Sequence, residues 1–169
     1  MKHTLFGSQY KENGLGRVLF VTDGGNMKTI KQILAEKTRP LSTVAPGDTV
    51  QHAMELMRER DIGAVMVVNG NKLVGIFTER DCLQKVSSLG LNARELLVHE
   101  VMTEKVRFVK PDMEVSQCLA LMTERFFRHL PVLDEQQNIL GIVSIGDLVK
   151  VKISEQSFII EQLEHYIAS

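Results

Sequence analysis

The chain has 169 residues, 44% of them hydrophobic and 24% charged, which is enough apolar content for one ordinary domain or two small modules sharing a core. Its formal net charge of -1 offers no basic excess to a nucleic-acid backbone and sets that partner aside. The cysteines Cys82 and Cys118 give neither a zinc cluster nor a disulfide framework, the five histidines show no metal spacing, and no apolar run approaches the roughly 18 residues of a membrane helix. A cytoplasmic protein without a bound metal or catalytic cofactor is the expectation.

Residues 1–26 read as an extension or leader, with a strand-like run Arg17–Thr22 and a turn at Asp23-Gly24-Gly25-Asn26; a true edge strand is the other reading. From Thr29 the pattern becomes regular. Ile30, Ile33 and Leu34 have helical spacing, Pro40 breaks that helix, and Leu41–Val44 reads as a short strand. After the turn Pro46-Gly47-Asp48-Thr49, the apolar residues Val50, Ala53, Met54 and Met57 mark a helix with one face on a core. Ala64–Val68 and Leu73–Phe77 flank Asn69-Gly70-Asn71 and predict a hairpin covered on both faces, since neither strand alternates cleanly. A helix from Glu79 to about Ser88 and a joint at Leu89–Leu91 close the first half.

The second half repeats the first. Pro46 recurs as Pro111, 65 residues on, and the helix stripe recurs as Val115, Cys118, Leu119 and Met122. Leu130–Leu133 and Ile139–Val143 form the second hairpin across the longer turn Asp134–Asn138. A repeat of this length points to duplicated units burying a shared face. In the tail, Ser154–Ser169, the residues Ile159, Ile160, Leu163 and Ile167 share one helical face, which either caps the core or contacts a second subunit.

Both halves carry the same short motif: Gly75-Ile76-Phe77-Thr78-Glu79-Arg80-Asp81 and Gly141-Ile142-Val143-Ser144-Ile145-Gly146-Asp147. A strand that ends in a hydroxyl residue and turns into a helix presents a hydroxyl, free backbone N–H groups and a carboxylate at one spot. The N–H groups suit a phosphate, and an ionised carboxylate suits two neighbouring ribose hydroxyls. The same spacing also fits a capping box that merely satisfies backbone donors at a helix start. Duplication would copy a cap as faithfully as a site, so repetition leaves both readings open.

The order strand, Pro turn, amphipathic helix, hairpin and Gly-apolar-apolar-Thr/Ser-x-x-Asp, present twice, together with Arg128-His129-Leu130-Pro131-Val132 opening the second hairpin, resembles a tandem pair of CBS domains, a Bateman module. The resemblance covers about Met27 to Lys152. It implies an α+β fold of two β-α-β-β-α units packed through their sheets as a pseudo-twofold pair, with units over 27–91 and 92–152 and a C-terminal helix over 153–169. It further implies a sensor of adenosyl ligands (AMP, ADP, ATP or NAD(H), with S-adenosylmethionine ranked lower) bound in clefts between the units.

Carried across, the resemblance assigns Asp81 and Asp147 to ribose hydroxyls and Thr78 and Ser144 to phosphate. Thr43 and Val44, and Arg107, Phe108 and Val109, would lie on the short strands that meet adenine. Gly63, Ala64 and Val65, and Arg128, His129, Leu130 and Pro131, would line the clefts, with Arg80, Arg128 and His129 within reach of phosphates. Copy one has Gly63-Ala64-Val65-Met66 in place of Arg-His-Leu-Pro, and copy two has Ile145-Gly146 in place of Glu79-Arg80. Each copy thus lacks one basic group that the other has, and the two clefts are expected to differ in ligand. The function expected is a stand-alone, non-enzymatic nucleotide sensor acting through an unidentified effector protein or a homodimer. The alternative is a ligand-free structural or interaction module.

Overall fold

The computed structural model describes residues 28–167, so the expected leader over residues 1–26, with its strand-like run, lies outside the described residues. Helix α1 (Ile30–Glu36) is followed by strand β1 (Thr43–Val44), helix α2 (Val50–Arg60) and the hairpin β2 (Ala64–Asn69) and β3 (Lys72–Thr78). One helical turn, α3 (Glu79–Asp81), runs into a π-helical stretch, Cys82–Ser87, in place of the plain α-helix expected there. Helix α4 (Val98–Val101) comes next, then α5 (Val115–Arg125), the hairpin β4 (His129–Leu133) and β5 (Ile139–Ser144), and the 23-residue α6 (Ile145–Ile167). No proline interrupts α6, so the second motif and the tail lie on one continuous helix.

The strands form two sheets. In the first, β1 lies parallel to β2, with Val44 opposite Val67, and β2 is antiparallel to β3. In the second, β4 and β5 are antiparallel, and Val109 makes a single parallel bridge to Val132, the counterpart of Val44 on Val67. The short strands are therefore shorter than expected: two residues in the first copy and one bridge in the second. After Val44 the ladder stops because the Ala45 N–H donates to the Asp48 carboxylate at 2.7 Å, committing the chain to its turn.

Each sheet is the floor of its own core, but the leading helices are exchanged. Ile30 and Ile33 of α1 sit in the cluster with Val109, Val115, Cys118, Met122, Leu130, Val132, Val143 and Leu148, all from the second copy. Val98 and Val101 of α4 sit in the cluster with Val44, Val50, Ala53, Met57, Val65, Val67, Phe77 and Val86 of the first. Backbone hydrogen bonds fasten both exchanges: Ile30 N–H to the Met113 carbonyl at 2.9 Å, and Val98 N–H to the Asp48 carbonyl at 2.9 Å. Helices of seven and four residues have no stability of their own, so this burial is what keeps them helical.

The exchange also explains a glycine in each motif. A Cβ on Gly75 would run into the Met102 sulfur, and one on Gly141 would lie 2.7 Å from Leu34 Cδ2. Met102 follows Leu34 by 68 residues, so the same position of each leading segment presses on the same position of each returning strand. A side chain at either position would have to displace the Met102 or Leu34 side chain from the place it takes beside glycine.

One core expectation is corrected. Val50, Ala53 and Met57 are buried, whereas Met54 is 39% exposed. At 3.6 residues per turn Met54 points roughly 65° away from the centre of the buried stripe, at the flank of the helix. Its counterpart Leu119 is half-buried, because α6 packs on α5 and brings Val151 into the same cluster.

Candidate functional site

The two motifs end their strands at equivalent corners. At the first, the Thr78 N–H and hydroxyl both donate to Asp81 Oδ2, at 3.0 and 2.7 Å, and the Asp81 N–H donates back to Thr78 Oγ1 at 3.3 Å. At the second, the Ser144 N–H and hydroxyl donate to Asp147 Oδ2 at 2.7 and 2.8 Å, and the Asp147 N–H returns to Ser144 Oγ at 3.2 Å. Both corners are thus reciprocal caps of the helix that follows. The capping reading is realised in the chain, and any ligand role is superimposed on it.

Their remaining carboxylate oxygens differ. Asp81 is the one buried charged residue among those described; Lys85 pairs with its Oδ1 at 2.7 Å and the Thr103 hydroxyl donates to the same oxygen at 3.5 Å. Lys85 also donates to the Val101 carbonyl at 2.7 Å, which ties α4 to this corner. Asp147 is half-buried; Lys37, from the segment after α1, pairs with its Oδ2 at 2.7 Å and donates to the Ile142 carbonyl at 2.8 Å. Burial pushes the Asp147 pKa up, but the hydrogen bonds from Lys37 and from the Ser144 N–H and hydroxyl outweigh it and hold the group below the usual carboxylate range.

A cleft of about 420 Å3 opens beside the first corner, between the two units. It gathers Gly63, Thr78, Arg80 and Asp81 from the first copy with Arg107, Arg128, His129 and Leu130 from the second. The other expected residues lie elsewhere. Ser144 and Asp147 belong to the second corner. Val44, Ala64, Val65, Val109 and Pro131 are buried in the sheets, where their side chains are core and only the backbone is left for a ligand. Thr43 is exposed on β1, and Phe108 is exposed with the Lys110 ammonium 6.0 Å from its ring centroid.

The clefts do not divide the cations as the copies do. Counting by copy, Arg80 belongs to one and Arg128 to the other, so each copy lacks a basic group that the other has. In three dimensions both line the same cleft, because a cleft between units takes one wall from each copy. Arg80 reaches across the boundary and donates to the Phe126 carbonyl at 3.2 Å.

His129 occupies the seam between the two corners. It is half-buried against Gly63, where a Cβ would lie 3.1 Å from the imidazole Cε1 and 3.0 Å from Glu79 Oε2. Burial lowers its pKa; Glu79 and Asp147 pull the other way, and Lys37 and Arg128 add to the lowering. His129 is therefore neutral at pH 7, not a standing cation for a phosphate. The free thiols are similarly unreactive: burial pushes both Cys82 and Cys118 up to about 11, with Asp81 adding to the effect at Cys82.

Sequence reasoning passed over Lys105, Val106, Thr103, Phe126 and Phe127, which also line the first cleft, and Lys37 at the second corner. A signal for the lysines was present, since Lys105 follows Met102 as Lys37 follows Leu34. Phe126 stands 65 residues after Asp61, and both end their helices with positive φ, 57° and 51°. A phenylalanine in that conformation is uncommon, and here it leaves the ring 77% exposed at the cleft.

Comparison with known proteins points one way. The profile of the CBS domain matches residues 30–88 and 98–154. The mitochondrial CBS domain-containing protein CBSX3 of Arabidopsis thaliana is 36% identical over 125 residues, which is 71% of this chain and 60% of the plant protein, so the chain spans about three fifths of that relative. The CBS domain-containing protein YhcV of Bacillus subtilis is 33% identical over 131 residues, 78% of this chain and 90% of that protein. Among solved structures, a proposed signal-transduction protein with CBS domains from Burkholderia ambifaria superposes with a TM-score of 0.73 at 45% identity, over 76% of this chain and 96% of that one.

Proposed function

This chain belongs to the CBS-domain family, and on that premise we propose that it is a regulatory module that senses an adenine nucleotide in the clefts between its two units. The observation that carries the reading is the first cleft, where a hydroxyl, a carboxylate and three arginines converge from both copies around a space of about 420 Å3. That space is within the range of small-molecule pockets. A ribose hydroxyl would replace the Thr103 contact on Asp81, which at 3.5 Å is at the limit of a hydrogen bond. At the second corner it would meet Asp147 Oδ1, which accepts no hydrogen bond from the described residues.

Occupancy is transmitted because a ligand held by both walls favours one arrangement of the units over others. The output passes to a partner protein or through self-association. In support of the latter, Ile153, Ile160, Leu163 and Ile167 of α6 follow each other at intervals of 7, 3 and 4 and are all exposed, the spacing of a coiled-coil seam offered to a second copy. Calorimetry with AMP, ATP, NADH and S-adenosylmethionine, on the wild type and on Asp147→Ala, tests the reading. Saturable heat from at least one nucleotide is expected, and no heat from any would end it.

A further inference from the structure

The cleft pair is built from a repeat, so every charged side chain in one cleft has a counterpart position in the other, and the two sets differ sharply. Four cations line the first cleft: Arg80, Lys105, Arg107 and Arg128. Their counterparts are Gly146 for Arg80, Lys37 for Lys105 and Gly63 for Arg128, while Arg107 matches Arg39 in the register that pairs Lys105 with Lys37 and Ser42 in the register of the strands. Backbone pairing establishes the match of Arg128 with Gly63, since the Arg128 carbonyl accepts from the Ile145 N–H at 2.8 Å as the Gly63 carbonyl accepts from the Glu79 N–H at 3.1 Å. The positive charges of Arg80 and Arg128 fall on glycines in the matching positions, which leaves Lys37 and Arg39 as the cations near the second corner. Lys37 is already paired with Asp147 at 2.7 Å, and Arg39 donates to the Arg60 and Asp61 carbonyls at 3.1 and 3.4 Å.

The first set is largely uncommitted. Lys105, Arg107 and Arg128 are exposed and make no ion pair or side-chain hydrogen bond with the described residues, and Arg80 is satisfied only by a neutral carbonyl. Two carboxylates share the cleft, but Asp81 is neutralised by Lys85, which leaves Glu79 against four cations. Holding like charges together costs free energy in the empty chain, and a ligand with several negative charges removes that cost. A single phosphate cannot answer four cations drawn from three separate segments of the chain. A chain of two or three phosphates can, with the planar guanidinium groups matched to its oxygens in pairs.

We infer that the first cleft is a nucleoside polyphosphate site, in which Lys105, Arg107 and Arg128 hold the second and third phosphates, and that the second cleft is not. The inference rests on the proposed adenine-nucleotide reading and names the ligand class and the stoichiometry. It also disfavours S-adenosylmethionine in the first cleft, because the sulfonium would enter a field of its own sign.

The test is calorimetry of ATP, ADP, AMP and inorganic triphosphate, in EDTA at fixed salt, against the wild type, Arg107→Ala, Arg128→Ala and Arg128→Lys. The expected result is one ATP per chain, bound at least tenfold tighter than AMP. Each alanine variant should bring ATP to within threefold of AMP, and Arg128→Lys should keep most of the preference. Both positions are exposed, so these variants fold, which a thermal melt verifies. AMP binding as tightly as ATP, or two equivalent ATP sites in the wild type, overturns the inference and leaves the nucleotide reading standing. Binding of inorganic triphosphate with no response to any nucleotide, or no binding at all, overturns both.

Discussion

Truncating Ile30 to alanine should weaken the second unit and spare the first, although Ile30 precedes the first in sequence. Ile30 is fully buried among Val109, Val115, Met122 and other residues of the second copy. An isoleucine-to-alanine change in such a place costs about 2–5 kcal/mol, the transfer of the lost methyl groups plus the cavity left behind. In a chain of this size each kcal/mol lowers Tm by about 2–4 °C, so a mid-range cost of about 3.5 kcal/mol predicts a fall of roughly 7–14 °C. Calorimetry reads the size and native-state hydrogen exchange reads the place. At 1.4 kcal/mol per decade, slow amides of α5, β4 and β5 that exchange by sub-global opening should lose about 300-fold in protection, with β2 and β3 changing much less. A fall in Tm below about 2 °C, or a loss of protection centred on β2 and β3, would refute the exchange of leading helices.

Other expectations follow from the same contacts. Met54→Asp should keep a cooperative melt with a stability change within about 0.5 kcal/mol, whereas Met122→Asp should abolish the melt by burying an unpaired charge; equal behaviour would contradict the burial assigned to α2 and α5. Because the folded Asp147 pKa is depressed, its contribution is fully present above the unfolded value of about 4 and is lost as pH falls through the folded one, so urea melts from pH 7 to 3 should show a decline that Lys37→Ala makes shallower. An unchanged slope in that variant would mean Lys37 does not set the shift. For His129, whose folded pKa is also lowered, the unfolded chain binds more protons just below pH 6.5, so stability should fall as pH drops from about 6.5 toward the folded value. An NMR titration placing the His129 midpoint above 6.5 would reverse that sign.

Much of this molecule is legible without coordinates, because its signals are local and occur twice. The hairpins follow from apolar runs around Gly70 and around Asp134–Asn138, and the long helices follow from apolar spacing at 3.6. Matching Pro46 to Pro111 reveals the duplication, and the motif corners at Thr78 and Ser144 form the caps that their spacing describes. What could not be read is everything that depends on where the copies lie relative to each other. Nothing local in Ile30 or Val98 says that each will pack on the opposite unit, since an amphipathic turn fits any apolar face that is presented to it. Met54 looked like core because periodicity gives a stripe but not its centre. The charge of the first cleft is divided between the copies in sequence and united in space, because the cleft takes Arg80 from one wall and Arg128 from the other. Sequence periodicity specifies elements and their repetition, while a site formed between elements is set by long-range packing, which has no period to read.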